Sequence, residues 1–311
     1  MNFILVPFLL AVRLPSNEER WKNGPEYVFN AEVTTTLHSQ QTDGLCGING
    51  LTTQLKCRPK EPDRLQCRYE NTNIITPSRR DDTVEGVTPD PYADLANFDF
   101  GNVTFEIEFN ERGIESYWFA NDDRSKGDFL VNMYRRMANH LSLGTVLRDG
   151  ETFESTENST MGECFTDYVV KRETYNQTAN VEFLLDPLSN FSVQADERLV
   201  IMKQRRLESC IPHSVYSSVT RYNRHDVVRQ FIEDLQYSRS TMIISRSNFA
   251  SESRHLFFLY DSNRSRTAEL LDAIHLSLDS VNPANDKLKD IPNPISMGPV
   301  INKHENESLR S

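Results

Sequence analysis

Alternation of apolar and polar residues is the feature of this sequence that most constrains its fold. Residues 103–109 alternate strictly, residues 110–113 have the composition of a turn, and residues 114–119 resume the alternation. Residues 27–37 show the same pattern. A period of two residues is typical of a β-strand that buries one face. The chain is therefore predicted to be mainly β.

A second hairpin is predicted from residues 51–57 and 65–69, which flank a turn rich in proline and charged residues. Cys57 and Cys67 lie on comparable faces of its two strands. A bridge between them is one candidate pairing, and Cys46 competes for it.

The remaining segments are predicted to be mostly strands and loops. Residues 273–281 are favoured as a strand over a helix, whereas residues 225–236 have helical spacing. Loops are predicted at 76–97 and 149–161. Further strand-like segments are 164–170, 181–185, 199–202, 242–245 and 256–260.

One segment has a clear helical period. Ser125 is a candidate N-cap and Gly144 a candidate stop. Between them, apolar residues recur at spacings of three and four, which places most of them on one helical face. We predict a helix over residues 125–143 that packs against a sheet or fills a barrel. Its apolar residues are Phe129, Leu130, Met133, Tyr134, Met137, Leu141 and Leu143.

The first 12 residues are apolar, too few to cross a bilayer and of suitable length for a signal-peptide core. A buried N-terminal strand is the alternative. We predict a signal peptide at 1–16, a folded domain at 17–281 and a polar linker or tail at 282–311. No run reaches the roughly 18 apolar residues of a membrane-spanning helix.

Sequons and cysteines point to the secretory pathway. Behind a signal-like start, Asn-x-Ser/Thr sequons indicate a secreted glycoprotein with these asparagines on loops or strand ends. Of the five cysteines, four would pair in an oxidising compartment. We therefore predict an extracellular protein. The sequons are at Asn102, Asn158, Asn176, Asn190, Asn263 and Asn306.

Charge and motifs exclude several classes of function. The chain has 34 Lys and Arg against 45 Asp and Glu, a net charge of −11. This charge argues against general nucleic-acid binding, which needs a surplus of basic residues. No nucleophile elbow, zinc-protease motif or phosphate-binding glycine loop is present, and the histidines are scattered. We predict neither an enzyme nor a metal or cofactor site.

Four stretches of the sequence resemble the N-terminal domain of the vitellogenins. Residues 21–29 (Trp-Lys-Asn-Gly-Pro-Glu-Tyr-Val-Phe) are similar to its opening. Residues 132–137 (Asn-Met-Tyr-Arg-Arg-Met) resemble one of its helices, with Arg136 in place of the family's glycine. Residues 161–168 (Met-Gly-Glu-Cys-Phe-Thr-Asp-Tyr) and 203–210 (Lys-Gln-Arg-Arg-Leu-Glu-Ser-Cys) are similar to its Gly-Glu-Cys and Lys-Thr-Lys-Asp-Leu-x-x-Cys motifs.

The resemblance implies a strongly curved, barrel-like antiparallel sheet wrapped around the helix at 125–143, as in the lipovitellin N-terminal domain. It also implies a disulfide between Cys164 and Cys210. The vitellogenin detail looks insect-like. The family's helical and large lipid-binding domains have no counterpart in this sequence.

The family's basic motif is assigned to docking on the vitellogenin receptor, a member of the lipoprotein-receptor family with acidic repeats. The resemblance therefore implies receptor-binding roles for Lys203, Arg205 and Arg206. A solvated strand edge is the alternative for these residues. On the receptor hypothesis, Lys203→Glu with Arg205→Glu reduces receptor binding without unfolding the domain.

The function expected from these observations is the receptor-recognition part of a secreted vitellogenin-like lipoprotein. Lipid transport and yolk storage would belong to the complete family protein. One alternative is a stand-alone carrier whose barrel encloses a small lipid. Others are a paralogue that modulates another secreted factor and a truncated remnant with neither role.

Overall fold

Fifteen strands and one α-helix make up the described part of the chain. In the computed structural model, the described residues are 2–3, 10–13, 19–39, 44–75, 103–121, 128–147, 152–175, 183–187, 193–211, 232–261 and 263–298. The elements are β1 (Asn2–Phe3), β2 (Leu10–Arg13), β3 (Pro25–Ser39), β4 (Gly44–Lys60), β5 (Arg64–Ile75), β6 (Thr104–Asn110), β7 (Gly113–Ala120), α1 (Asp128–Leu141), β8 (Thr152–Ser159), β9 (Gly162–Thr174), β10 (Leu184–Pro187), β11 (Glu197–Arg205), β12 (Ile232–Ser245), β13 (Phe249–Tyr260), β14 (Arg266–Pro283) and β15 (Pro294–Met297).

The main sheet closes into a barrel of 11 strands in the order β7-β6-β5-β4-β3-β14-β13-β12-β11-β9-β8. Neighbouring strands are antiparallel until β8 meets β7 in parallel, at Asn158 and Gly113. The Asn158 amide donates to the Arg112 carbonyl over 2.7 Å. Gly113 has a φ of +121°, and a Cβ there would lie 2.7 Å from the Asn158 carbonyl oxygen. Closure at this point therefore requires glycine.

Helix α1 fills the barrel interior. Tyr134 stacks on Phe105 of β6, with ring centroids 4.0 Å apart, and on Tyr69 of β5 at 6.0 Å. Polar helix residues are buried as well as apolar ones, which is typical of a helix enclosed on all sides. The predicted barrel-like fold around a central helix is confirmed. Ser125, the predicted N-cap, lies outside the described residues, and Gly144 follows the helix with a φ of +80°.

Two local predictions are wrong for identifiable reasons. Residues 149–161 were expected to form a loop, yet residues 152–159 form β8. This strand is polar because its inward Glu157 pairs with cations on another strand. Residues 232–236 belong to β12 rather than to a helix. Ile232 and Leu235, two of the apolar residues that gave the helical spacing, lie three residues apart in this strand, and a β-bulge follows between Leu235 and Tyr237. Residues 225–231 lie outside the described residues.

The described segment after β14 is bound to the barrel, and the division of the chain with a polar linker or tail at 282–311 stays a prediction. The Ala284 amide donates to the Gly24 carbonyl over 3.0 Å, and Arg58 donates to Asp286 over 3.0 Å. Ile291 is buried, and β15 pairs with β7. Ion pairs and hydrogen bonds therefore hold a sequence that lacks apolar periodicity.

A small separate sheet has the order β1-β2-β10. Its strands β1 and β2 fall within the predicted signal peptide, as the alternative of an N-terminal strand implies. Removal of residues 1–16 stays a prediction. The predicted loop at 76–97 lies outside the described residues.

Candidate functional site

A buried trio of charged side chains lies at the centre of the candidate site. Glu157 Oε1 accepts from Lys203 Nζ over 2.8 Å and from the Arg205 guanidinium over 2.9 Å. None of the three side chains is more than 1% exposed. Lys203 and Arg205 stand two residues apart on β11, so strand alternation turns both into the barrel. Glu157 meets them from β8.

The trio also holds the end of α1. Lys203 Nζ donates to the carbonyls of Ser142 and Leu143 over 2.9 and 3.2 Å. These carbonyls follow the helix, where unpaired acceptors and the helix dipole favour a cation. Tyr168 donates to the same Leu143 carbonyl over 3.1 Å. The charged side chain of Lys203 therefore binds the backbone that directly follows α1.

The directions of the pKa shifts of Glu157 and Lys203 agree with this geometry. Burial would raise the pKa of Glu157, but Arg205 and Lys203 lower it overall, so its carboxylate is ionised. Burial lowers the pKa of Lys203 to about 8, although Glu157 opposes the shift. The trio thus places one anion between two cations inside the barrel.

A second polar group links α1 to β13 and β14. His140 contacts the Ser251 and Ser253 hydroxyls through its two ring nitrogens, at 3.0 and 2.9 Å. Arg136 donates to Asp272 over 2.9 Å. Burial, followed by the charges of neighbouring groups, lowers the pKa of His140 to about 3.

A polar cavity of about 30 Å³ lies between α1 and strands β12–β14. A volume of this size accommodates one or two water molecules. It is too small for an acyl chain, because each methylene adds a volume comparable to that of a water molecule. Its lining includes Arg136, Asn139, Arg205, Ser240, Ser253 and His255.

The outer surface next to the trio carries exposed apolar side chains. Phe165 and Ile211 are 53% and 75% exposed. They flank Cys164 and Cys210, which form a disulfide between β9 and the chain after β11. Arg206 lies beside them, and its backbone amide donates to the Phe165 carbonyl over 2.9 Å. We call Phe165, Arg206 and Ile211 the disulfide surface.

The sequence profile described as the vitellogenin N-terminal domain matches residues 21–283. This chain belongs to the vitellogenin N-terminal domain family.

A solved structure on lipid–protein interactions in lipovitellin has the same fold. It superimposes with a TM-score of 0.51 and 14% sequence identity, over 87% of this chain and 27% of the lipovitellin chain. The chain thus spans about a quarter of that protein. No curated protein matches the sequence significantly.

The vitellogenin N-terminal domain described here does not present the predicted basic patch. Lys203 and Arg205 are 0% and 3% exposed, and both are committed to Glu157. A partner could reach these two residues only after the barrel opened, and their predicted role in receptor binding stays a prediction. Arg206 is the exposed member, with 44% of its side chain accessible.

Arg206 is itself paired on the surface. It donates to Asp167 over 2.7 and 3.0 Å and contacts Glu154. The alternation of residues 199–205 could have predicted that Lys203 and Arg205 point into the barrel. Leu199, Ile201, Lys203 and Arg205 share one face, and the first two are apolar.

Both predicted disulfide pairs are present in the domain. Cys57 and Cys67 face each other across β4 and β5, and Cys164 pairs with Cys210. The side chain of Cys46 lies outside the described part. Family resemblance supplied the second pair, whereas hairpin register favoured the first.

The sequons fall in different surroundings. Asn263 is exposed in the turn between β13 and β14, and Asn158 is half-buried where the barrel closes. The described position of Asn263 suits a glycan better than that of Asn158. Asn102, Asn176, Asn190 and Asn306 lie outside the described residues.

Among the described residues, no group of three or more His, Cys, Asp or Glu side chains could hold a metal ion. The described helix is too short and too polar to cross a membrane.

Proposed function

We propose that this chain is the N-terminal module of a secreted, vitellogenin-like lipid-transport protein, and that it recognises a receptor through its outer surface. The observation that carries this proposal is the filled barrel. Helix α1 and the charged trio occupy the interior, and the cavity beside them is only about 30 Å³. In such a module the outer surface can contact a partner protein, whereas the filled interior has little room for a lipid.

The disulfide surface is the proposed point of contact. Exposed apolar side chains next to charged ones are typical of protein-binding sites. Phe165 and Ile211 supply the apolar contact, and the Cys164–Cys210 bridge fixes the backbone beneath them. Arg206 supplies a guanidinium that can exchange the carboxylates of Asp167 and Glu154 for those of an acidic receptor repeat.

Secretion is part of the same proposal. Two disulfides favour an oxidising compartment. The exposed Asn263 sequon favours passage through the glycosylating pathway. Expression in insect cells tests this part: we expect the chain in the medium, with a mass that falls after glycosidase treatment.

Receptor recognition is tested by the affinity of the secreted chain for a vitellogenin-receptor ectodomain in surface plasmon resonance at physiological salt. We expect Phe165→Ser with Arg206→Glu to weaken binding at least tenfold. The control is Lys287→Glu with Lys289→Glu, which changes two exposed lysines elsewhere. Equal affinity of the Phe165/Arg206 variant and wild type, or no binding by wild type, would overturn the assignment.

Native mass spectrometry separates this function from that of a stand-alone lipid carrier. We expect the secreted chain to be free of lipid. Stoichiometric co-purified lipid would instead favour the carrier.

A further inference from the structure

The small cavity beside α1 has an electrostatic imbalance. The trio of Lys203, Arg205 and Glu157 contains two cations and one anion, so it has one positive charge in excess. Arg136 and Asp272 on the other side of the cavity balance each other at 2.9 Å, and the buried Arg135 also lines the cavity. Burial of an uncompensated charge is costly, even where hydrogen bonds are made.

At least three polar atoms of residues that line this cavity lack a partner within the described part of the chain. They are Arg205 Nε, His255 Nδ1 and the acceptor Asn132 Oδ1. The terminal nitrogens of Arg205 donate hydrogen bonds to Glu157 and Ser238, at 2.9 and 3.3 Å. Its Nε–H group takes part in neither bond. Buried donors of this kind are normally satisfied by a ligand, an ion or water.

We propose that the cavity binds one small monovalent anion, of which chloride is the form available to a secreted protein. The anion accepts hydrogen bonds from Arg205 Nε–H and from the Nδ1–H tautomer of His255. It also neutralises the excess charge of the trio.

Size and charge together select this class of ligand. A halide ion is only slightly larger than a water molecule, so a cavity of about 30 Å³ accommodates it. Fatty carboxylates are larger than the cavity. Water would satisfy the two donors but would leave the positive charge uncompensated.

The neutral state of His255 agrees with the positive charge around the cavity. Burial, then the charges of Arg205 and Arg136, lower its pKa to about 3. A neutral imidazole keeps a single N–H group, which it can donate to the anion.

Bromide is the probe for direct detection. Crystals of the chain soaked in sodium bromide should show an anomalous peak in the cavity, within hydrogen-bonding distance of Arg205 and His255. Density without an anomalous signal would identify water and overturn the proposal.

Thermal unfolding gives a second readout in solution. We expect the melting temperature to be roughly 3–6 °C higher in 200 mM sodium chloride or bromide than in sodium gluconate of equal ionic strength. Gluconate is too large for the cavity and controls for general screening. Identical melting temperatures in halide and gluconate would also overturn the proposal.

Variants connect the effect to the cavity. Ser240→Val fills part of the cavity without changing its charge, and Arg205→Met leaves the neutral pair of Lys203 and Glu157. We expect both to lose the halide-specific increase. Arg239→Met removes an exposed cation from the next strand and should retain it. If Arg205→Met does not fold, Ser240→Val and the bromide soak still decide the question.

Discussion

Lys203 of β11 binds Glu157 of β8 inside the barrel, past the intervening strand β9, with 2.8 Å between Nζ and Oε1 and no more than 1% of either side chain exposed. The same lysine holds the carbonyls that end α1. One side chain therefore joins two strands and the central helix. This position gives the residue a structural role in the domain, where a receptor contact was expected.

Removal of the central anion should destabilise the domain strongly. Glu157→Gln leaves Lys203 and Arg205 buried without a counter-charge, and loss of one partner of a buried ion pair costs about 3–5 kcal/mol. We expect a loss of this size in the free energy of unfolding, measured by urea denaturation. Lys203→Glu with Arg205→Glu should not yield a folded domain.

Gln204 provides the matched control for this prediction. It lies between the two buried cations but points outward and is exposed. We expect Gln204→Glu to change the free energy of unfolding by no more than about 0.5 kcal/mol. A similar loss in Gln204→Glu and Glu157→Gln would contradict the central role of the trio.

Stability should fall below neutral pH because His140 is held neutral inside the barrel. Its pKa is about 3 in the folded state against an ordinary value of 6.5. Between these values the unfolded chain binds a proton that the folded chain does not. The contribution is therefore intact above pH 6.5 and is lost as pH falls, by about 1.4 kcal/mol at pH 5.5.

Urea denaturation at pH 7.5 and 5.5 checks this contribution. We expect His140→Gln to lose part of the pH dependence, whereas His275→Gln on the outer face should keep all of it. An unchanged pH dependence in His140→Gln would show that another group is responsible.

The sequence predicts the strands well where one face is apolar, because burial of that face forces an alternation that local pattern reveals. It does not predict β8, whose inward Glu157 is polar. The compensation for that carboxylate comes from Lys203, 46 residues later. A local pattern contains no information on such a distant partner.

Barrel closure escapes prediction for a similar reason. The contact of Gly113 with Asn158 is a parallel pairing between strands distant in sequence, and no hairpin signal marks it. The inward direction of Lys203 and Arg205 could have been inferred, since they share parity with Leu199 and Ile201. The basic-patch interpretation rests on their charge and leaves out their register on the strand.

The two disulfides should contribute unequally. Cys164–Cys210 spans 46 residues and Cys57–Cys67 spans 10. In the chain-entropy model, these loops correspond to about 4 and about 2.7 kcal/mol. We expect replacement of the first pair by alanines to lower the free energy of unfolding by about 1 kcal/mol more than replacement of the second. Urea denaturation of the two double variants and wild type tests the order, and a reversed order would contradict it.

The glycine at the barrel closure should be difficult to replace. Gly113→Ala introduces a Cβ that would lie 2.7 Å from the Asn158 carbonyl oxygen, at a φ of +121°. Relief of this contact requires β7 and β8 to separate, so we expect the free energy of unfolding to fall by at least about 2 kcal/mol.

Hydrogen exchange localises the effect, because separation breaks the bond from the Asn158 amide to the Arg112 carbonyl. That amide should exchange faster in Gly113→Ala, whereas Glu115→Ala, an exposed change on the same strand, should leave it protected. Unaltered protection in Gly113→Ala would mean that the barrel tolerates a side chain at its closing point.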